Sequence, residues 1–412
     1  MRTQITSKRF NQILFICLIA VYCGSVPAPA RGQEQIQSKQ QTHYQVSSLP
    51  TLGGTSSAGN SINDQSWVAG YSRLAGNQAR HAALWRNGTL LDLLTLGGPN
   101  SSVTWNVQNT QGIIVGISQT ADPEPLGEAW SSAAFYSGPF TTGFINLAFV
   151  WEGQGPMRRL PNFPGGNNGF ATGANNLRQV VGWAENNVHD PTCVSPQVLQ
   201  FRPSMWTLGP PDQIQDLPLM SGDTSGAATA INDNGQIVGI SGICDQAVGR
   251  HTAKHAVLWE NGTVTDIYPD APAPWWNTPT AINERGDIVG FAGDPAFVDG
   301  DILHAFKWTR EDGVRPLKPL KGRTPKHVDS EAYGINERGQ VVGTSCDANF
   351  VDCRAVIWEQ GAYPTDLNEL KGSFPIRLET AKGINDNGEI TGRAIDANNV
   401  RTPYLAVPVG RQ

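Results

Sequence analysis

Charge is scarce in this chain. Charged residues make up 16% of its 412 positions, against a usual ~25%. No Lys/Arg cluster occurs, which excludes the basic face that nucleic-acid phosphates require. Beyond the first thirty residues no apolar run reaches the ~20 residues of a membrane span. No P-loop, dinucleotide fingerprint or nucleophile elbow stands in a strand-to-helix context. The few cysteines lack the close pairing of a zinc site, so neither metal nor cofactor is expected.

Glycine is abundant instead, at 45 residues, and 12 Trp remain to be buried. That profile suits many short strands and turns. Arg2, Lys8 and Arg9 precede the apolar stretch Ile13–Val26 and the small residues Ala28-Pro29-Ala30, the pattern of a signal peptide cleaved near Ala30. Residues 31–41 read as a polar, flexible leader, and residues 42–412 as one domain. Losing residues 1–30 removes three basic residues and no acid, moving the net charge from −6 to −9. The expected product is secreted, extracellular or periplasmic, and monomeric. Cys193, Cys244, Cys346 and Cys353 then remain, an even set that favours disulfides in an exported protein. The six residues between Cys346 and Cys353 fit a hairpin link. Cys193 and Cys244 lie in corresponding loops of neighbouring repeats and make the second expected pair.

The repeat is the main signal. An Asn and a Gly seven positions later recur as Asn63/Gly70, Asn109/Gly116, Asn175/Gly182, Asn232/Gly239, Asn283/Gly290, Asn336/Gly343 and Asn385/Gly392. Successive glycines are 46, 66, 57, 51, 53 and 49 residues apart. Each copy reads as four short strands, A to D. In copy four these are GAATAIN, GQIVGIS, HAVLWE and TVTDI. The A–B link NDNG could hold a calcium ion, but copies five and six place Glu-Arg there, so a tight turn with a left-handed glycine is preferred and Asp233 is read as a dispensable turn residue. Asn87-Gly88 and Asn261-Gly262 signal two-residue C–D hairpins.

Four strands per ~40–50 residues is the period of a propeller blade. The fold expected is therefore all-β, a seven-bladed β-propeller of four-stranded antiparallel blades. Strand A, rich in small residues, would line the axis. Trp85, Trp151, Trp206, Trp259, Trp308 and Trp358 would pack between blades. Copy seven stops without a strand D, and Thr42–Leu49 is a strand without a copy, so the N-terminal strand would complete the last blade and close the ring.

His304-Ala305-Phe306, TLGG at Thr51–Gly54 and Thr95–Gly98, and the GINxxGxIVG pattern together resemble the extracellular HAF repeat family over roughly residues 49–407. Copies three, six and seven depart from the HAF triplet. The resemblance implies an exported bacterial repeat protein and brings no activity or catalytic residues with it.

Function is expected where loops vary, on the face carrying the B–C and D–A connections. The copy-two loop from Gln119 to Ile145 offers Asp122, Glu124, Glu128, Trp130, Phe135, Tyr136 and Phe140, and the loop into copy five offers Trp275 and Trp276. Asp223, Asp245, Asp294, Asp299, Asp301, Glu331 and Asp347 supply carboxylates. The favoured reading is a non-catalytic module that binds a glycan or protein through Trp275, Trp276, Trp130, Tyr136, Asp223, Asp245 and Glu331. A carbohydrate hydrolase or lyase using two of those carboxylates is the alternative, and a structural or adhesive surface protein is a third. His81, His255 and His304 recur at one strand position and read as hydrogen-bonding structural residues rather than metal ligands.

Overall fold

The computed structural model describes residues 42–129, 136, 141–245, 251–272, 275–294, 302–359 and 361–409. They form an all-β chain whose single departure among the described residues is a 3-10 turn at Leu367–Glu369. Copies two to six each make a separate four-stranded antiparallel sheet in strand order A-B-C-D. Copy four shows the pattern, with Ser225–Ile231, Ile237–Gly242, His255–Glu260 and Thr263–Asp266 side by side. The eighth strand of the remaining sheet, His43–Ser48, pairs antiparallel with Arg401–Val409 of copy seven. A parallel contact at Ser56 and Arg401 joins copy seven to copy one. No helix among the described residues is long and apolar enough to cross a membrane.

The turns follow the residues that specify them. Gly235, Gly286, Gly339 and Gly388 have φ of 74–80°, the left-handed region where an L side chain is strained. Asn87 and Asn261 at φ 51° and 52° precede Gly88 and Gly262 at 73° and 75°, the type I′ signature. The glycine ending each strand B has a different cause. A strand-A carbonyl presses on strand B in every copy; in six of them strand A also bulges three residues before the asparagine, for example between Ala228 and Ala230. A Cβ at any of the seven glycines would lie 1.9–2.3 Å from that carbonyl oxygen.

Between sheets the core is aliphatic with tryptophan anchors. Trp85, Trp206, Trp259 and Trp358 are all buried, and their indole N–H groups donate to the carbonyls of Pro50, Pro161, Pro218 and Lys318. Each strand C is thereby tied to the segment that enters its own strand A. Both expected disulfides, Cys193–Cys244 and Cys346–Cys353, are formed, and they point to an oxidising compartment.

The recurring asparagine links one sheet to the next. Its Oδ1 accepts the backbone N–H four residues on, as from Gln236 to Asn232 at 3.0 Å. Its Nδ2 donates to the carbonyl of the next asparagine: Asn175 to Asn232, Asn232 to Asn283, Asn283 to Asn336, and Asn336 to Asn385, at 2.9–3.1 Å. Asn385 donates in turn to Asn63 at 2.9 Å, and Asn63 to Asn109 at 3.1 Å. Asn109 turns its amide to Ile113 instead, and there the backbone of Thr110 donates to Asn176 at 2.8 Å.

Candidate functional site

The residues named from sequence lie in different environments. Trp130, Asp299 and Asp301 fall outside the described residues. Tyr136 is 3% exposed, so it is a buried ring rather than an open one. It and Tyr71 lie against the Arg80 guanidinium, at 5.3 and 4.3 Å. The Asp223 side chain is 2% exposed and accepts a 2.7 Å bond from Ser241. Asp245 is half-buried beside the Cys193–Cys244 disulfide. Trp275 is half-buried and stacks flat on His304, centroids 4.7 Å apart and planes 7° apart. Trp276, expected in a loop, opens strand Trp276–Ile282 and meets Phe291 edge-on at 5.9 Å. It lies so close over Gly293 that a Cβ there would be 2.1 Å from the indole. His81 and His255 bond Asp92 and Asp266 on their own strand D, at 2.9 and 2.7 Å.

A polar cluster forms around Glu331, on inner and second strands of copies six, seven and one. Asp329, Glu331 and Tyr333 share strand His327–Ile335, with Glu379 and Lys382 on Arg377–Ile384. The Tyr333 hydroxyl donates to Glu331. The Lys382 ammonium sits 3.0 Å from the centre of the Tyr333 ring. Arg393 donates to Glu379 at 2.6 Å. The aromatic line from Trp276 through Phe291 continues to Tyr333, whose ring is 6.2 Å from that of Phe291.

Burial shapes the protonation of this cluster. It pushes Asp329 up to about 8, reinforced by the charge of Glu331 and opposed by the Leu303 N–H. It lowers Lys382 to about 7, against the attraction of Glu331. Burial raises the Tyr71 phenol, but Arg80, Arg393 and hydrogen bonds to Ser56 and Arg393 outweigh it and hold the group below its usual value. The cluster thus mixes a protonated acid, a poorly solvated amine and two guanidinium groups.

A second buried carboxyl pair lies between copies two and three. Glu128 accepts backbone N–H groups from Val198 and Leu199, both at 2.7 Å, and Glu185 accepts from the Gln197 amide at 2.9 Å. Burial raises both acids; the charge of Glu128 raises Glu185 further, whereas the Leu199 and Val198 N–H groups and a hydrogen bond with Glu185 oppose the rise of Glu128. The pair fastens the long copy-two loop to the next sheet.

On the A–B turn side, Asp64, Asp233, Glu284, Glu337 and Asp386 surround a cavity. These acids are structural. Asp233 accepts the Asn176 N–H at 2.7 Å, Glu284 that of Asp233 at 3.0 Å, Glu337 that of Glu284 at 2.6 Å, Asp386 that of Glu337 at 2.7 Å and Asp64 that of Asp386 at 2.9 Å. Asp233 is therefore an inter-sheet acceptor, which corrects its reading as a dispensable turn residue.

Sequence reasoning missed Lys382, Tyr333, Tyr71, Arg80 and Arg393. A signal existed: AKGIN and EAYGIN place Lys382 and Tyr333 where copies three to five carry Thr172, Thr229 and Thr280.

No family model and no curated protein matches this chain. Among solved structures it is similar to a candidate gluconolactonase from a structural genomics consortium, at 11% identity and TM-score 0.26, covering 50% of this chain and 81% of that one. It is also similar to a chain in a S. cerevisiae assembly of dbp5 with nup159, gle1, IP6 and ADP, at 10% identity and TM-score 0.40, covering 90% of this chain and 96% of that one. Neither likeness carries an activity across.

Proposed function

We propose that this chain is a secreted seven-bladed β-propeller that holds a glycan on its variable-loop face without chemistry. Residues 1–30 act as the signal peptide, and the chain is an extracellular member of the HAF repeat type. Closure is supported by the hydrogen bond from Asn385 to Asn63 and by the pairing of His43–Ser48 with the last strand. The observation that carries the functional reading is the flat stack of Trp275 on His304, which leaves Trp275 half-buried. A partly exposed ring already fixed on one face loses little freedom when a sugar ring meets it.

Binding is favoured over hydrolysis because the carboxylates are engaged. Asp223 accepts from Ser241, Glu331 from Tyr333 and Glu379 from Arg393. An acid–base pair needs two carboxyl groups facing one open gap, and these three serve the protein's own donors.

The test is retention of the mature chain on an immobilised extracellular-polysaccharide array. Trp275→Ala should weaken retention about tenfold, near 1.4 kcal/mol, with an almost unchanged melting temperature. Retention unaffected by Trp275→Ala, or no retention on any glycan, would overturn the reading.

A further inference from the structure

In most copies the tryptophan near the end of strand C pairs with an aliphatic residue on strand D. Trp85, Trp206, Trp259 and Trp308 stand opposite Leu90, Ile214, Val264 and Val314. In copy two, where strand D is two residues long, buried Met157 joins the core cluster of Trp151. Copy six differs. Its strand D is only Thr365–Asp366 and pairs with Ile357 and Val356, so Trp358 has no strand-D partner.

A cavity of about 390 Å³ opens beside Trp358, between the outer strands of copy five and the C–D link of copy six. Its apolar floor is Leu317, Val341 and Trp358, which are 7%, 1% and 2% exposed. Ala362 lines one wall, and that wall is pinned to copy five because the Lys318 N–H donates to the Ala362 carbonyl at 2.6 Å. Small-molecule pockets run from about 300 to 1,000 Å³. This one lies near the lower end, which suits a single ring.

The charges lining the cavity are balanced, with Lys307 and Arg315 beside Asp312 and Glu359. Lys307 gives one of its donors to Asp287 at 2.9 Å, and Arg315 gives one to Asp312 at 2.6 Å. Glu359 accepts from Gln340 through one oxygen at 2.7 Å. Among the described residues, both donors and acceptors are therefore left over. The Arg315 and Asp312 side chains are 68% and 41% exposed, and such a solvent-screened pair holds its members weakly. With both signs present, neither a cation nor an anion is favoured. A hydroxyl, by contrast, can accept from one of these groups while donating to another.

We propose that this cavity binds one neutral pyranose ring, its C–H face on Leu317, Val341 and Trp358 and its hydroxyls on Arg315, Asp312 and Glu359. The site shares no residue with the stack of Trp275 on His304 and stands independently of it.

The experiment is saturation-transfer NMR titration of the intact mature chain carrying Trp275→Ala, so that the loop-face stack does not contribute. The probes are the methyl pyranosides of glucose, galactose and mannose, the uronate and the 2-amino counterpart of each, and cyclohexanol. At least one neutral pyranoside should bind about tenfold tighter than its own two charged counterparts and than cyclohexanol, a difference near 1.4 kcal/mol. Adding Arg315→Ala should weaken that binding about tenfold at an unchanged melting temperature, because the side chain is exposed. Adding Ala362→Phe, which fills the cavity, should remove it. If the Ala362→Phe chain fails to fold, Arg315→Ala and Asp312→Ala carry the test.

No binding of any neutral pyranoside overturns the inference, as does binding that the substitutions at Arg315, Asp312 and Ala362 leave intact. A charged counterpart that binds more tightly overturns the choice of a neutral ring. Cyclohexanol binding as tightly as the pyranosides shows that the hydroxyls are not read, and overturns the choice of a sugar. Each of these results leaves the loop-face reading at Trp275 standing.

Discussion

The side-chain amide of Asn385 donates to the backbone carbonyl of Asn63 across 322 residues of sequence, at 2.9 Å. The same bond links Asn232 to Asn283 at 2.9 Å and a separation of 51 residues. One contact repeated at so different a separation supports the proposed closure of the ring. In a closed ring Asn385→Ala and Asn232→Ala each remove one turn acceptor and one inter-sheet donor, so each should cost about 1–3 kcal/mol. Urea denaturation compares them. A silent Asn385→Ala beside a destabilising Asn232→Ala would mean that the two ends are not joined.

The disulfides constrain the unfolded chain unequally. Cys193–Cys244 closes a separation of 51 residues and Cys346–Cys353 one of 7. From loop entropy alone, replacing both cysteines of a pair by serine should cost about 4 kcal/mol for the first pair and about 2.5 kcal/mol for the second. Denaturant midpoints of the two double variants read this order, and a larger loss for the short link would contradict it.

Stability should pass through a minimum near neutral pH within the Glu331 cluster. Burial raises Asp329 from 3.8 to about 8, so its folded-state proton stabilises fully below pH 3.8, and that stability is lost as pH rises through about 8. Burial lowers Lys382 from 10.5 to about 7, so its contribution is present above pH 10.5 and is lost as pH falls through about 7. Melting curves from acid to alkaline pH should show Asp329→Asn flattening the acidic limb and Lys382→Met the alkaline one. Parallel curves for wild type and Asp329→Asn on the acidic limb would contradict the assignment.

Gly235 stands at φ 74° with no atom within 4 Å of an added Cβ. Only backbone strain opposes a side chain there, so Gly235→Val should cost about 1–2 kcal/mol. Asp233→Ala should also destabilise, because it strands the Asn176 N–H and amide that now donate to it at 2.7 and 2.6 Å. Thermal unfolding at fixed pH measures both. A neutral Asp233→Ala would restore the simple turn reading.

Local chemistry was legible in the sequence wherever one copy contains its own cause. Asn261-Gly262 writes its hairpin, and the spacing of Cys346 and Cys353 writes its disulfide. The seven strand-B glycines were legible as a repeat, but their cause, a strand-A carbonyl pressed against each of them, needs two strands in register. The cluster of Glu331, Lys382, Arg393, Tyr71 and Arg80 was not legible, since its members come from copies six, seven and one. Tyr136 and Trp276 were misplaced for a related reason: a large ring in a loop reads as exposed until its packing partner, Arg80 of copy one for Tyr136 or Gly293 of the paired strand for Trp276, is set against it.

The central claim is binding without chemistry at the loop face. Its most direct measurement incubates the mature chain with a polysaccharide it retains, then reads bound mass and polymer length from the same sample. The account predicts saturable binding, lost in Trp275→Ala, with polymer length and reducing-end count unchanged after prolonged incubation. Shortened polymer, with cleavage that Glu331→Gln abolishes, would contradict it and make the protein an enzyme.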